Sequence, residues 1–210
     1  PRSTLFPYTT LFRSVFITKN RRLFLTDSRY TLIAKQSVHG FDIIESKDPL
    51  KDIVKIIGAD KLETIGFDNQ VSFAYYQGLQ AIFEGYTLSP QSNFMEELRM
   101  IKDEKELATI RKACSISDRA FTDVLDFIKP GQTTELQVAN FLDFRMREYG
   151  ASGISFESII ASGYRSAMPH GVASDKVIQS GETLTMDFGC YYNHYVSDID
   201  RKSTRLNSSH

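Results

Sequence analysis

Apolar residues occupy alternate positions from 184 to 190, as in a β-strand with one buried face. The opposite parity carries Asp187, which the pattern therefore points away from the apolar side. A Tyr-Tyr-Asn-His tip follows, and its Asn193 tolerates the positive φ of a short hairpin loop. The return arm carries Asp198 on the same face as Val196. The pattern predicts a β-hairpin with one carboxylate on each arm.

The two aspartates favour a metal site if they face each other. Like charges on neighbouring strands repel, and burial without a partner is costly or forces one carboxyl group to take up a proton. A divalent cation bound by Asp187 and Asp198 removes this conflict. Oxygen ligands on stiff strands suit ions such as Mg²⁺, Mn²⁺ or Zn²⁺. The alternative is a pair of solvated aspartates on the polar face of a sheet, which is the commoner case for an arbitrary pair.

The first part of the chain alternates strand and helix patterns. It predicts a hairpin over 15–26, helices over 28–38 and 72–83, strands over 41–45 and 64–67, and a helix begun by Asp48 and Pro49. No glycine-rich phosphate loop is present. We predict an α/β domain of mixed strands at residues 15–92.

The second part predicts helices followed by a sheet. Ser89–Asn93 breaks the hydrophobic pattern, and we place the domain boundary near Pro90 to Ile101, counting the second domain from residue 93. A long helix with an apolar stripe follows and ends before Lys129-Pro130-Gly131, and another helix covers 135–149. Together with the hairpin, these helices predict an α+β domain over 93–199.

Composition agrees with one or two globular domains. The 210 residues are 41% hydrophobic and 24% charged. No apolar run reaches membrane-spanning length and no signal peptide pattern is evident, so we expect a cytoplasmic protein without a membrane partner. Cys114 and Cys190 lie far apart in sequence, and we expect buried free thiols.

Both ends differ from the rest of the chain. Residues 1–14 carry no acid and repeat Thr-Leu-Phe, and residues 200–210 are equally unpatterned. Both resemble translated sequencing adapters, and we interpret them as library artefacts. The two end segments contain five of the 25 basic residues and one of the 26 acidic residues. Without these segments 20 basic and 25 acidic residues are left, a net charge of −5 rather than −1. This mildly acidic balance argues against a nucleic-acid partner.

Two stretches carry a family resemblance: SFESIIASGYRSAMPHGVAS from Ser155, and GETLTMDFGCYYNHYVSDI from Gly181. Together they resemble the pita-bread metallopeptidases, most closely the Xaa-Pro aminopeptidases and Xaa-Pro dipeptidases. The resemblance implies that Asp187 and Asp198 are metal ligands and that His170, in the Pro-His-Gly turn, is a catalytic residue beside the metals. A lone turn histidine is more often an ordinary loop residue, and only the family context favours a catalytic role.

The resemblance also implies a fold and an activity. LFLTDSRY and its position resemble a creatinase-type N-terminal domain, incomplete at its start, followed by the first half of a pita-bread domain. The implied activity is an Xaa-Pro aminopeptidase that acts on proline-containing peptides with two divalent ions, Mn²⁺ first and Co²⁺ or Zn²⁺ as alternatives. The parent protein is expected to be a homodimer. The family's other ligands, one histidine and two glutamates, would follow Ile199, so we expect this fragment to be inactive alone. An Xaa-Pro dipeptidase (prolidase) and a non-catalytic pita-bread binding module are the alternative functions.

Overall fold

The structure is a computed structural model that describes residues 13–203. The chain divides into two compact units, one ending at Ile101 and the other beginning at Lys102. Most of the two end segments lies outside the described residues. Arg13 and Ser14 belong to the first strand, and Asp200 to Ser203 belong to the last.

The first unit combines short strands with helices. In chain order its elements are β1 (Arg13–Ile17), β2 (Arg22–Thr26), α1 (Thr31–Ser37), β3 (Asp42–Glu45), α2 (Pro49–Asp60), β4 (Thr64–Asp68), α3 (Phe73–Ile82), β5 (Thr87–Gln91) and α4 (Phe94–Met100). Strand β2 pairs antiparallel with β1 and parallel with β3. Strands β4 and β5 form a separate parallel pair. The predicted α/β unit of mixed strands is confirmed.

Local sequence explains the ends of α2 well. The Asp48 carboxylate accepts a hydrogen bond from the backbone N–H of Lys51, and Pro49 occupies the first turn, where its missing N–H costs nothing. The helix ends before Lys61, which has a left-handed φ of 53°. Its buried face, Ile53 and Ile57, joins β2 and α3 in the core of this unit.

Part of the break at Ser89–Asn93 is a strand in the structure. Residues 87–91 form β5, in which Leu88 lies opposite Ile65 and Pro90 opposite Phe67. Proline is tolerated in such an outer strand because an N–H is not needed on its free side. The compact units divide after Ile101, at the far end of the predicted boundary region.

The second unit begins with two helices and continues with short strands. Its elements are α5 (Glu104–Phe127), α6 (Glu135–Glu148), β6 (Gly153–Ile154), β7 (Ile159–Ser162), a 3-10 helix (Gly163–Ala167), β8 (Leu184–Phe188), β9 (Cys190–Tyr192), β10 (Tyr195–Val196) and β11 (Ile199–Ser203). The strands form two antiparallel sheets, β10-β9-β6 and β11-β8-β7. The predicted order of helices followed by a sheet is confirmed.

Capping boxes begin both helices of the second unit. Asp103 and Glu106 exchange hydrogen bonds at the start of α5, and Thr134 and Gln137 do so at the start of α6. The buried faces of both helices pack with β8 in one core. Its buried members are Ala113, Ile116, Ala120, Val124, Ile128, Val138, Leu142, Met146, Ile160, Ile178, Leu184, Met186, Phe188 and Cys190. Cys190 is a buried free thiol as predicted, whereas the Cys114 thiol is only partly buried. None of the helices between residues 13 and 203 is long and apolar enough to cross a membrane.

Candidate metal centre

The predicted hairpin is present, but it changes sheet in the middle. Strands β8 and β11 pair in one sheet, and β9 and β10 pair in the other. Asn193 and His194 at the tip both have positive φ, as a tight two-residue hairpin turn requires. The interruption falls at Gly189 on the outgoing arm and at Ser197 and Asp198 on the return arm.

The register places the aspartates diagonally. Asp187 lies directly opposite Asp200 in β11. Asp198 precedes Asp200 by two residues and has the same parity, so all three carboxylates share one side of the sheet. The prediction that Asp187 and Asp198 lie on one face agrees with this register, although they are not directly opposed.

Asp187 is held between two fully buried neighbours. Met186 and Phe188 point into the core, and the Asp187 side chain emerges on the other face, where it is partly buried. Its Oδ1 atom is buried and has no hydrogen-bond partner. Burial raises the pKa of Asp187, and the charges of Asp198 and Asp200 raise this pKa further. A buried carboxylate oxygen without a partner indicates a position where a cation would be stabilising.

His170 lies in an exposed turn that follows the 3-10 helix. Its carbonyl oxygen accepts a hydrogen bond of 2.9 Å from the backbone N–H of Val172. The imidazole is close enough to Asp187 for its charge to lower the pKa of that carboxyl group, against the larger effect of burial. The loop therefore brings His170 toward the face that carries the aspartates.

Ser197, immediately before Asp198, is fixed by hydrogen bonds on three sides. It donates its backbone N–H to the Cys190 carbonyl at 2.9 Å, and its Oγ accepts the Cys190 N–H at 3.0 Å. Ser155 donates its hydroxyl to the Ser197 carbonyl at 3.0 Å, and Ser117 Oγ lies 2.6 Å from Ser197 Oγ. Gly189 permits this close approach, because a Cβ there would overlap the Ser197 carbonyl. Asp198 thus follows an anchored backbone.

The sequence did not identify Ser117 or Ser197 as important. Serines are common and their spacing forms no motif. The one available signal was that both fall on apolar faces, Ser117 in the stripe of α5 and Ser197 beside a buried strand.

The described residues supply part of a binding site for a divalent cation. Asp187 offers a buried oxygen without a partner, and Asp198 adds a second carboxylate on the same face. Over residues 13–203, no group of three or more His, Cys, Asp or Glu side chains is arranged to hold a metal ion. Of the three carboxylates on this face, the resemblance assigns Asp187 and Asp198 to the metal, and a complete site needs further ligands.

Comparison with known families matches both units. Residues 7–101 match the Creatinase/Prolidase N-terminal domain, and residues 108–204 match metallopeptidase family M24. The chain belongs to the pita-bread Xaa-Pro peptidase family. It carries the creatinase-type N-terminal domain and part of the M24 domain of this family. Both matches include a few residues of the end segments, whose interpretation as artefacts stays a prediction that the underlying DNA sequence would test.

Relatives in this family share much of the chain. The uncharacterized peptidase YqhT of Bacillus subtilis is 44% identical over 190 residues, covering 88% of this chain and 53% of that protein. A solved Xaa-Pro dipeptidase from Bacillus anthracis is 38% identical with a TM-score of 0.85, covering 93% of this chain and 55% of that one. The X-Pro aminopeptidase from Thermotoga maritima is 38% identical with a TM-score of 0.84, covering 92% and 55%. The chain spans about half the length of the relatives it matches.

Proposed function

We propose that the full-length protein carrying this chain is a metal-dependent exopeptidase that cleaves the peptide bond before proline, as an Xaa-Pro aminopeptidase. The observation that carries the proposal is the buried Oδ1 atom of Asp187, which has no hydrogen-bond partner and lies beside a second carboxylate. A non-catalytic binding module has no need of two like charges at a partly buried position, because they cost stability there.

Asp187 and Asp198 are proposed to hold the metal. When bound, a pair of divalent ions supplies an activated water molecule and polarises the scissile carbonyl group. Asp187, on the stiff strand β8, would bind through the oxygen atom that now lacks a partner. Asp198 would be held in position by the anchored Ser197 backbone that precedes it.

His170 is proposed to contact the substrate. An imidazole group can donate or accept a hydrogen bond, so His170 can hold the substrate amide or move a proton to it. Its position on an exposed turn leaves it accessible to a peptide.

An Xaa-Pro dipeptidase is the alternative activity. Its support is the nearly equal similarity of this chain to a solved Xaa-Pro dipeptidase and a solved X-Pro aminopeptidase, with TM-scores of 0.85 and 0.84. The preference for Mn²⁺ over Co²⁺ or Zn²⁺, the homodimer, the cytoplasmic location and the inactivity of the fragment alone stay predictions.

The test uses the full-length protein, stripped with a chelator and reloaded with Mn²⁺, Co²⁺ or Zn²⁺. We expect hydrolysis of an Xaa-Pro-Yaa tripeptide only after reloading, and its loss in Asp187→Asn. Asp126→Asn, an exposed position on α5, is the matched control and should retain activity. Cleavage of Xaa-Pro dipeptides but not tripeptides would favour the dipeptidase. Peptide binding without hydrolysis under any metal would replace the proposal with a binding module.

A further inference from the structure

A single buried carboxylate joins both ends of the segment that carries His170. Glu135, in the first turn of α6, is completely buried. Its Oε1 accepts hydrogen bonds from the backbone N–H of Ser162 at 2.7 Å and from the Ser162 hydroxyl at 2.9 Å. Its Oε2 accepts from the backbone N–H of Ser174 at 3.2 Å and from the Ser174 hydroxyl at 2.6 Å. Ser162 and Ser174 flank residues 163–173, which we call the His170 loop.

Arg165 reinforces this closure from within the loop. Its Nε donates to Glu135 Oε2 at 3.0 Å, and its Nη2 donates to the Val172 carbonyl at 2.7 Å. The same guanidinium group thus connects the carboxylate, the beginning of the loop and the residue two positions after His170. Val172 also forms an isolated bridge with Ile159, the first residue of β7.

The contacts explain why Glu135 can be buried as an anion. Burial would raise the pKa of Glu135, but the hydrogen bonds from Ser174 and Ser162 and the charge of Arg165 outweigh it and leave this pKa below its ordinary value. A buried carboxylate needs such a complete set of donors, since an unpaired buried charge is strongly destabilising. Five donated hydrogen bonds converge on the Glu135 carboxylate. The start of α6 does not need this carboxylate, because the capping box of Thr134 and Gln137 already stabilises the first turn.

The arrangement has a consequence for His170. Closing a loop of this length costs conformational entropy, which the hydrogen bonds at its two ends offset. Most other contacts of the loop lie in its first part. There the Met168 N–H bonds to the Arg165 carbonyl and the Ser166 hydroxyl to the Gly163 carbonyl, while the Gly163 N–H bonds to the Thr183 carbonyl and the Thr185 hydroxyl to the Ser166 carbonyl. After Met168, the backbone N–H of Val172 bonds to the His170 carbonyl. Residues 169–171, which include His170, have few hydrogen bonds of their own, so the bonds from Arg165 to Val172 and from Ser174 to Glu135 limit how far the imidazole moves from Asp187.

We propose that Glu135 is a positioning residue that closes the His170 loop and thereby holds His170 beside the two aspartates. The role of His170 toward substrate rests on the proposed function, whereas the closure of its loop by Glu135 does not. Glu135 itself touches neither substrate nor metal in this proposal and acts through Ser162, Arg165 and Ser174.

The first test is hydrogen exchange on the full 210-residue chain, wild type against Glu135→Gln. An amide cannot accept all five hydrogen bonds, so peptides covering 163–173 should exchange about tenfold faster or more. Peptides from the middle of α5 and from β8 should be unchanged. Glu148→Gln, at the exposed end of the same helix, removes the same charge and should alter neither region. If residues 163–173 of the Glu135→Gln variant exchanged at the same rate as in the wild type, the proposal would be overturned.

Milder variants serve if Glu135→Gln unfolds the second unit. Ser174→Ala removes one hydrogen bond to Oε2, and Arg165→Lys keeps the charge but loses the fork that reaches both Glu135 and Val172. Each should accelerate exchange in the loop alone, by a smaller factor. Unchanged loop exchange in both variants would equally overturn the proposal.

The second test is a double-mutant cycle in the full-length protein. Glu135→Gln should lower kcat with metal content unchanged, and it should have no further effect on kcat in the His170→Ala background. Equal losses of kcat in both backgrounds would mark a merely structural role and overturn the proposal. If the wild type hydrolyses no Xaa-Pro peptide, the proposed function fails while the exchange experiment still decides the role of Glu135.

Discussion

Ser117 Oγ in α5 lies 2.6 Å from Ser197 Oγ, the side chain immediately before Asp198. Both serines are buried, at 0% and 2% exposure, and each hydroxyl also lies near the Cys190 thiol. The hydrogen bond connects the longest helix of the second unit to the arm of the hairpin that carries Asp198. Interior hydroxyl groups are costly when unpaired, so this pair is a specific constraint on where Asp198 lies.

Removing this constraint should destabilise the second unit. Ser197→Ala leaves the Cys190 N–H without its acceptor and the Ser117 hydroxyl without its partner, and we expect a loss of about 1–3 kcal/mol in the free energy of unfolding. Ser117→Ala should cost less, because the Cys190 N–H keeps its partner. Urea denaturation followed by hydrogen exchange in α5 measures both. Ser115→Ala, exposed on the same helix, should change stability by no more than about 0.5 kcal/mol. Additive effects of the two buried substitutions would contradict a direct coupling.

Replacing His170 should affect turnover rather than metal content. His170→Ala in the full-length protein is expected to lower kcat by about 10²–10⁴, the range for a residue that assists proton transfer. His194→Ala, at the exposed hairpin tip, is the matched control and should behave as wild type. Metal analysis of the purified variants completes the measurement. A loss of bound metal in His170→Ala would place His170 among the ligands instead.

Replacing Asp187 should show separately how much stability its ionised carboxylate costs the metal-free protein and how much it contributes when metal is bound. Because burial raises the pKa of Asp187, its ionised form is less stable in the folded than in the unfolded chain, and this cost appears as pH rises through the raised pKa. Metal-free Asp187→Asn should therefore melt at the same temperature as wild type or higher at neutral pH. Excess Mn²⁺ should raise the melting temperature of the full-length wild type more than that of the variant. Equal increases in both proteins would exclude Asp187 as a ligand.

Glu135 should make the second unit sensitive to acid. Its pKa is lowered in the folded state, so the stability that it contributes is fully present above the ordinary glutamate pKa of about 4.3 and is lost as pH falls through the lowered pKa. Glu135→Gln should be less stable at pH 7 and should lose less stability than wild type as pH falls from about 5 to about 3, from above the ordinary glutamate pKa to below it. Unfolding curves over this range measure the difference. Parallel pH profiles for the two proteins would contradict a lowered pKa of Glu135.

Local patterns in the sequence were sufficient for most elements of the fold. Alternation from 184 to 190 predicted that Leu184, Met186 and Phe188 are buried, and all three are. Asp48 with Pro49 predicted the start of α2. These features depend on neighbouring residues, and the chemistry of a few side chains decides them. The family followed from two stretches whose residues, order and spacing resemble it, and the comparisons support it.

Features that depend on distant residues could not be read in this way. Pro90 interrupts the apolar pattern at Ser89–Asn93, yet the parallel partner β4 makes residues 87–91 a strand. The diagonal placement of Asp187 and Asp198 depends on the register between β8 and β11, which side-chain parity does not specify beyond the shared face.

The sequence by itself determined the family, the order of helices and strands, and the presence of Asp187, Asp198 and His170. Only the tertiary structure assigned partners to Glu135, Ser117 and Ser197. Glu135 reads in the sequence as an ordinary acid in the first turn of a helix, and its contacts lie 27 to 39 residues away. Hydrogen bonds between residues so far apart leave no periodic pattern, because folding alone brings their donors and acceptors together.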